Sequence, residues 1–473
     1  MKKFYRAGAV NHLTDLLPIK YNVHPLPDPS DIIEKYEPDY WVNESKMQVN
    51  EDAIAKCRVE IDGLKYVKKT FYNRRGIVEE EQIMGEIQNL LTQMGFTNNI
   101  AQLSKKIVEH IKGVAYQEEI EPNELLIPLA NGDLYVERNN WHFEMNEFAP
   151  TPYRLPCALL PEFCTPNNFF SWLNRLFEPA DKTTIQEFLG YTLIPSTDAQ
   201  KALFLLGEAE TGKSGIGSVL EFILGKQRKG VSSLQSFLKD QFGLAELHNK
   251  LVLYIDDASS TPIDESDVFK TLITSGTEIE GNKKYGSKFD FTPYARIVVC
   301  CNEMLTSQND LTDGFYRRLL PIIVKNKKEG DRVIKRFYKD YIKPETNDIL
   351  IWALIGLKRL QEQDWEFTVS DKSKRYLEMK RASENYIPTF AEDCFIFEPD
   401  FCVFSGDVSK VHKQWCYENN VKQMPLAKFK TYLNDFLERR GVEFKQKVTV
   451  RNKRATGYQG IGIRDEYRRI DLS

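Results

Sequence analysis

At 473 residues, with 42% hydrophobic and 28% charged side chains, the chain reads as globular, with about two to four domains and core enough for each. Its longest strongly apolar run, ILIWALIGL at 349–357, is too short to span a bilayer, and no apolar region follows Met1-Lys2-Lys3, so neither a membrane span nor a secretory leader is expected. The net charge of −4 gives no overall sign of nucleic-acid binding, yet residues 421–473 hold thirteen Lys/Arg against six Asp/Glu, so this tail is +7 and the remainder −11, a hint of a polyanionic partner for the tail.

In chain order, the segment to about Lys46 is irregular and rich in Pro and Asp (HPLPDPSD), more connector than core. Strand-like text, LKYVKKTFY, then precedes two helical patterns, EEEQIMGEIQNLLTQM and NIAQLSKKIVEHIKG. LIPLANGDLYVERNNWHF reads as a hairpin turning at Asn131-Gly132-Asp133. Two helices, FFSWLNRLF and KTTIQEFLGYTLI, lead into the segment that carries the most information.

That segment, KALFLLGEAETGKS from Lys201 to Ser214, is an apolar strand that breaks into a Gly-x-x-x-x-Gly-Lys-Ser loop. Gly207 and Gly212 permit the backbone angles that turn successive N–H groups inward toward phosphate oxygens. Lys213 would set its ammonium on the β- and γ-phosphates and Ser214 its hydroxyl on Mg²⁺, with a helix dipole behind them. The expected nucleotide contacts are Gly207, Glu208, Thr211, Gly212, Lys213, Ser214 and Gly215, and the expected cofactors are ATP and Mg²⁺.

A parallel α/β sheet is expected from Lys201 to about Val324, where apolar strands alternate with helices. LVLYIDD at 251–257 is a buried strand ending in two carboxylates; Asp256 is assigned to metal and Asp257 to the attacking water, with the reverse left open. EIEGNKKYGSKFDF at 278–291 resembles a hairpin whose tip bears Lys283, Lys284 and Lys288 beside Tyr285, a mixture that suits single-stranded nucleic acid. RIVVCCN at 296–302 is a strand ending in Asn302, able to hydrogen-bond both γ-phosphate and water. Cys300 and Cys301 are adjacent and none of the eight cysteines stands in C-x-x-C spacing, so reduced thiols and a cytoplasmic location are expected. Arg317 and Arg318 follow, either of which could neutralise charge on a transferred phosphoryl group.

Helices run on to about Leu360, and a polar stretch, VSDKSKRYLEMKRASEN, leads to a compact end. There the text reads helix (DVSKVHKQWCYEN), helix (PLAKFKTYLNDFLERR), then strands EFKQKVTV and GYQGIGIR joined by Arg451-Asn452-Lys453-Arg454. Helix, helix and basic hairpin make a winged helix, a reader of duplex DNA, with Lys447, Arg451, Lys453 and Arg454 among its phosphate contacts.

The order of glycine loop, paired-Asp strand, basic hairpin, Asn strand and arginine pair fits within 112 residues, from Gly207 to Arg318. It resembles superfamily 3 helicases, the AAA+ motors of viruses, phages and plasmids, in the phage/plasmid and poxvirus primase-helicase branch. LANGDLY at 129–135, QEFLGYTLI at 186–194 and GFYRRLL at 314–320 carry that branch's wording. The resemblance implies an α/β fold: an N-terminal α+β collar or loading platform (1–120), a hairpin and helical linker domain (121–195), an AAA+ P-loop motor (196–365) and a winged helix (366–473). It further implies a DNA helicase of a phage or mobile island, working as a homo-oligomeric ring, hexameric in relatives, with ATP between subunits and 3′ to 5′ movement. Asn302 becomes the sensor, Lys284 and then Lys283 the DNA-gripping lysines, and Arg318 the arginine finger with Arg317 second. Partners would be single- and double-stranded DNA, a separate primase and replication proteins, with no membrane. About 120 residues without a zinc motif precede this region, so primer synthesis by this chain is not expected. Two alternatives stand beside the helicase: an ATP-dependent origin-binding initiator that recruits another helicase, and a P-loop ATPase or kinase acting on protein or small molecules.

Overall fold

The computed structural model describes the chain except residues 1–9, 27, 68, 75, 118–124, 139, 232, 259–262, 264, 275, 283–287, 308–312, 327–335, 451 and 468–473. It divides into two compact units, residues 1–306 with 317–374 and residues 307–316 with 375–473.

The N-terminal segment is part of the first unit's core and not a connector. Val10–His12 (β1) pairs with a later strand, and Leu13, Leu17 and Ile19 are buried with the main cluster. Ile19–Val23 (β2) joins a sheet described below. The Pro/Asp run is a helix start: the Asp28 side chain accepts the Ser30 N–H at 2.7 Å and Pro29 opens Pro29–Tyr36 (α1). Trp41–Asn43 (β3) and Gln48–Val49 (β4) then form a short hairpin. Glu51–Asp62 (α2) is capped by Asn50 and stopped by Gly63 at φ +61°. LKYVKKTFY is two strands, Lys65–Val67 (β5) and Thr70–Asn73 (β6), turned at Lys69 and followed by Gly76–Val78 (β7). Glu80–Gln93 (α3) and Ile100–Val114 (α4) are the two expected helices, and they enclose a separate core of Ile54, Phe71, Ile87, Leu91, Ile107 and Ile111.

Leu126–Leu129 (β8), Gly132–Glu137 (β9) and Asn140–Met145 (β10) form an antiparallel meander to which β2 adds in parallel. The Asn-Gly-Asp turn has a structural reason. Gly132 sits at φ +150°, where a Cβ would come within 2.3 Å of the Glu144 carbonyl. Asp133 is buried, accepting from Arg154 at 2.6 Å and from the Ala149 N–H at 2.5 Å. Glu162–Cys164 (β11), which pairs with β1, precedes Asn167–Leu176 (α5) and Pro179–Tyr191 (α6).

Five all-parallel strands build the central sheet. They are Ala202–Leu206 (β12), Arg228–Val231 (β13), Val252–Ala258 (β14), Arg296–Cys301 (β17) and Leu319–Ile323 (β18), in the order β13-β14-β17-β12-β18. Buried on both faces, β12 and β17 are near-continuous apolar text, as parallel strands covered by helices require. Between the strands lie Gly215–Leu224 (α7), Leu234–Lys239 (α8), Gln241–Ala245 (α9), Ser266–Ile273 (α10) and the antiparallel hairpin Ile279–Asn282 (β15) with Lys288–Phe291 (β16). Asp313–Tyr316 (α11) precedes β18, and a π-helical turn at Tyr338–Ile342 precedes Thr346–Glu362 (α12). Helix α12 crosses α6 at backbone contact, and Gln361 bridges to the meander through Trp141 Nε1 (3.2 Å) and the Val136 carbonyl (2.8 Å).

The polar stretch after α12 is a helix, Asp371–Glu384 (α13), that begins in the first unit and ends in the second. Lys, Arg, Glu, Leu and Met are strong helix formers, but here they show no apolar stripe for a periodicity reading to find. In the second unit follow Ile387–Cys394 (α14), Phe395–Phe404 (β19), Ser405–Glu418 (α15), Leu426–Glu438 (α16), Glu443–Val450 (β20) and Lys453–Ile463 (β21). The strands form one antiparallel sheet, β19-β21-β20, with Phe390, Trp415, His412 and Phe429 packed ring on ring beside it.

Candidate functional site

In a parallel sheet every strand delivers its carboxyl end to the same edge, where ligands of α/β folds bind. Three strands end there in the residues singled out above. The glycine loop leaves β12 at Gly207, whose N–H donates to the Cys301 carbonyl of β17 at 3.2 Å. Gly212 takes φ +97°, a conformation that a side chain would strain. The loop closes on itself: Thr211 Oγ1 donates to the Glu208 carbonyl at 3.1 Å, and the Gly215 N–H to the Gly212 carbonyl at 3.1 Å. Lys213 is 8% exposed, and its ammonium is held by the Gly207 and Glu208 carbonyls at 2.5 Å each and by Asn302 Oδ1 at 3.4 Å. A buried ammonium held by neutral acceptors would gain from exchanging one of them for an anionic oxygen.

Ser214 is the N-cap of α7, yet its side chain makes no cap hydrogen bond and is exposed. Asp256 is exposed at the end of β14, where the register against β17 breaks between Ile255 and Ala258. The side chain of Asp257 lies outside the described residues. Tyr254, which the sequence reading did not single out, links these groups. Its hydroxyl donates to the Ser214 carbonyl at 3.4 Å and lies 3.7 Å from Cys300 Sγ. Burial, then the Cys300 thiol and the Asp256 carboxylate, push this phenol far above its usual range. Gly217 makes room for the ring, since a Cβ there would meet it at 2.5 Å. The exposed Ser214 hydroxyl and Asp256 carboxylate are oxygen donors of the kind Mg²⁺ takes when phosphates and water supply the rest.

The two arginines differ in surroundings. Arg318 is buried, with Nε and Nη2 on Thr274 Oγ1 at 3.2 and 2.8 Å at the end of α10. Arg317 is exposed, and its side chain makes no hydrogen bond or ion pair among the described residues. Its carbonyl accepts from Lys201, whose amine burial and the Arg317 charge shift downward.

The basic hairpin has the expected strands, paired Ile279 to Phe291 through Asn282 to Lys288. Lys283, Lys284 and Tyr285 lie outside the described residues. Lys288 is bound across the ladder by Glu280 at 2.6 Å. In the second unit, Lys447, Lys453 and Arg454 are exposed and make no ion pair among the described residues, while Arg451 lies outside them. Arg440, by contrast, is tied to Glu392 at 2.9 Å and stacked on Phe436. All eight cysteines are free thiols. Among the described residues no helix is long and apolar enough to cross a membrane.

Residues 205–318, from the glycine-loop strand to Arg318, match a family of unknown function (DUF5906), and residues 382–468 match the poxvirus D5 protein-like family. The comparison with curated proteins finds no match. Among solved structures, two apo structures of the NrS-1 C terminal region are similar. One is 15% identical with a TM-score of 0.46 and the other 16% identical with 0.47, each over 84% of this chain and 96% of its own. The chain is a mixed α/β protein with a five-stranded parallel sheet and a C-terminal region similar to poxvirus D5-like proteins.

Proposed function

We propose that the chain is an ATP-driven DNA helicase of a replicating mobile element: an AAA+ P-loop motor of superfamily 3 type with a winged helix at its C-terminus, acting as a homo-oligomeric ring. The observation that carries this reading is the position of β17 between β12 and β14, which brings Asn302 to within 3.4 Å of the Lys213 ammonium at the carboxyl edge. A strand ending in an amide is of little use in a plain phosphate cradle; beside the lysine it can sense whether the γ-phosphate is present. The D5-like match over the C-terminal region supports a replication role. In this mechanism the loop amides and Lys213 hold the triphosphate, Ser214 and Asp256 hold Mg²⁺, and Asp257 orients the attacking water. The cation supplied to a neighbouring subunit must be exposed, which favours Arg317 and leaves Arg318 as a strut to α10.

Strand separation on oppositely tailed forks, with this chain as the sole protein, tests the proposal: ATP-dependent unwinding of one polarity is expected. ATP hydrolysis and duplex binding without unwinding would instead support an origin-binding initiator, a reading that the exposed cations at the hairpin tip, Lys453 and Arg454, also suit.

Two further outcomes are expected. Lys284→Ala leaves basal ATP hydrolysis within about twofold and stops unwinding, because the contact acts on DNA and not on nucleotide; equal loss of both activities would make the hairpin structural. Arg317→Ala and Lys213→Ala, each inactive alone, regain part of the ATPase when mixed, because a mixed ring contains intact composite sites. Absence of rescue at every mixing ratio would exclude a shared site.

A further inference from the structure

The glycine loop has a neighbour that no motif announces. Arg175, in the last turn of α5, reaches the loop from outside: its Nη2 lies 3.1 Å from where a Cβ of Gly212 would stand. A helix C-terminus favours a cation, which accounts for an arginine at this position but not for its aim at the loop. The side chain is exposed and makes no hydrogen bond or ion pair among the described residues. Glu178, three residues on, is engaged by Lys325 at 3.5 Å. On the same side, Tyr338 of the π-helical turn sets its hydroxyl 3.5 Å from the Gly212 carbonyl, and its hydroxyl and ring occupy the space a Cβ of Gly215 would need, at 2.3 and 2.5 Å. Burial pushes the Tyr338 phenol upward, and the Trp172 side chain and the Arg175 charge oppose that shift. Two cations therefore lie against one loop, Lys213 on the Gly207 and Glu208 carbonyls and Arg175 beside Gly212, and no carboxylate pairs with Arg175 among the described residues. Like charges gathered in this way repel until an anion joins them.

Given the triphosphate site proposed above, we propose that Arg175 is a second phosphate-binding cation of that site, contributed in cis from the helix ahead of the motor sheet. Its planar fork can bridge two phosphate oxygens where Lys213 offers a point charge. Tyr338 is a positioning residue: it walls the loop at Gly212 and Gly215 and limits where the bound phosphates can sit.

Titration calorimetry of the full chain with Mg-ATP and with Mg-tripolyphosphate tests this. Arg175→Ala is expected to weaken both ligands by a similar factor, about tenfold to a hundredfold, with the melting temperature unchanged because the side chain is exposed. Arg175→Lys should recover part of the loss. Full affinity in Arg175→Ala, alongside lost affinity in Lys213→Ala, would overturn the role of Arg175 while the triphosphate site stood. Full affinity in both would overturn the site itself. A loss for ATP without a loss for tripolyphosphate would move Arg175 to the base or ribose and overturn the phosphate contact.

Discussion

Lys213→Ala is expected to lower ATP turnover by about 10²–10³-fold or more, the range seen when one preorganised donor to a developing charge is removed. The physical ground is the burial of the ammonium. At 8% exposure, held by the Gly207 and Glu208 carbonyls, it works in a poorly screened setting where each charge–phosphate contact counts for more than at a surface. Its three acceptors are loop carbonyls and an exposed amide, so losing the amine leaves no unpaired buried carboxylate behind. The fold should survive, and a thermal melt close to that of the parent chain will separate lost chemistry from lost structure. Phosphate release at saturating ATP is the measurement; turnover equal to the parent's would remove the nucleotide assignment and with it the motor.

Gly356→Ala is expected to destabilise the first unit by about 3 kcal/mol, at the upper end of what overpacking costs. In an exposed helix the same change stabilises by about 1 kcal/mol, because Ala restricts the unfolded chain and favours the helix. Here the sign reverses. A Cβ on Gly356 would stand 2.2 Å from the Gln186 carbonyl oxygen and 2.7 Å from the Glu187 nitrogen, atoms of helix backbone that cannot rotate aside. Gly190 faces the reciprocal obstacle, 2.3 Å from the Ala353 carbonyl oxygen. The two glycines let α6 and α12 touch, and the contact is locked by Arg359 on Gln186 (2.6 Å) and by the buried Glu187 carboxylate on the Thr368 N–H (2.8 Å). Gly85 in α3, with nothing within 4 Å of its Cβ position, is the control: Gly85→Ala should stabilise. Urea midpoints measure both, and a Gly356→Ala protein as stable as the parent would mean that the two helices can part at little cost.

These helices show how far the primary structure could be read. QEFLGYTLI was recognisable as wording and as a helix, because the 3.6-residue recurrence of apolar side chains is local. That Gly190 answers Gly356 across 166 positions depends on packing, which no local pattern records. The same division runs through the site. Gly207, Gly212, Lys213 and Ser214 were legible because phosphate binding needs them consecutive, and Asp256 and Asn302 because each ends a continuous apolar strand. Tyr254, Tyr338 and Arg175 were not, since a strand tyrosine, a turn tyrosine and a helix-end arginine are common and carry no spacing.

The linear order of residues thus settled which groups exist and which strand or loop carries each, because backbone hydrogen bonding and side-chain alternation act over a few residues. It also told that the N-terminal segment was polar and broken, but not that Leu13, Leu17 and Ile19 complete a core built mainly of residues more than 100 positions away. Tertiary structure alone decided the insertion of β17 between β12 and β14, the burial of Arg318 against the exposure of Arg317, and the approach of Arg175 to Gly212. The reason is that burial and long-range packing are set by the whole sheet and its covering helices, where each contact depends on the placement of all the others.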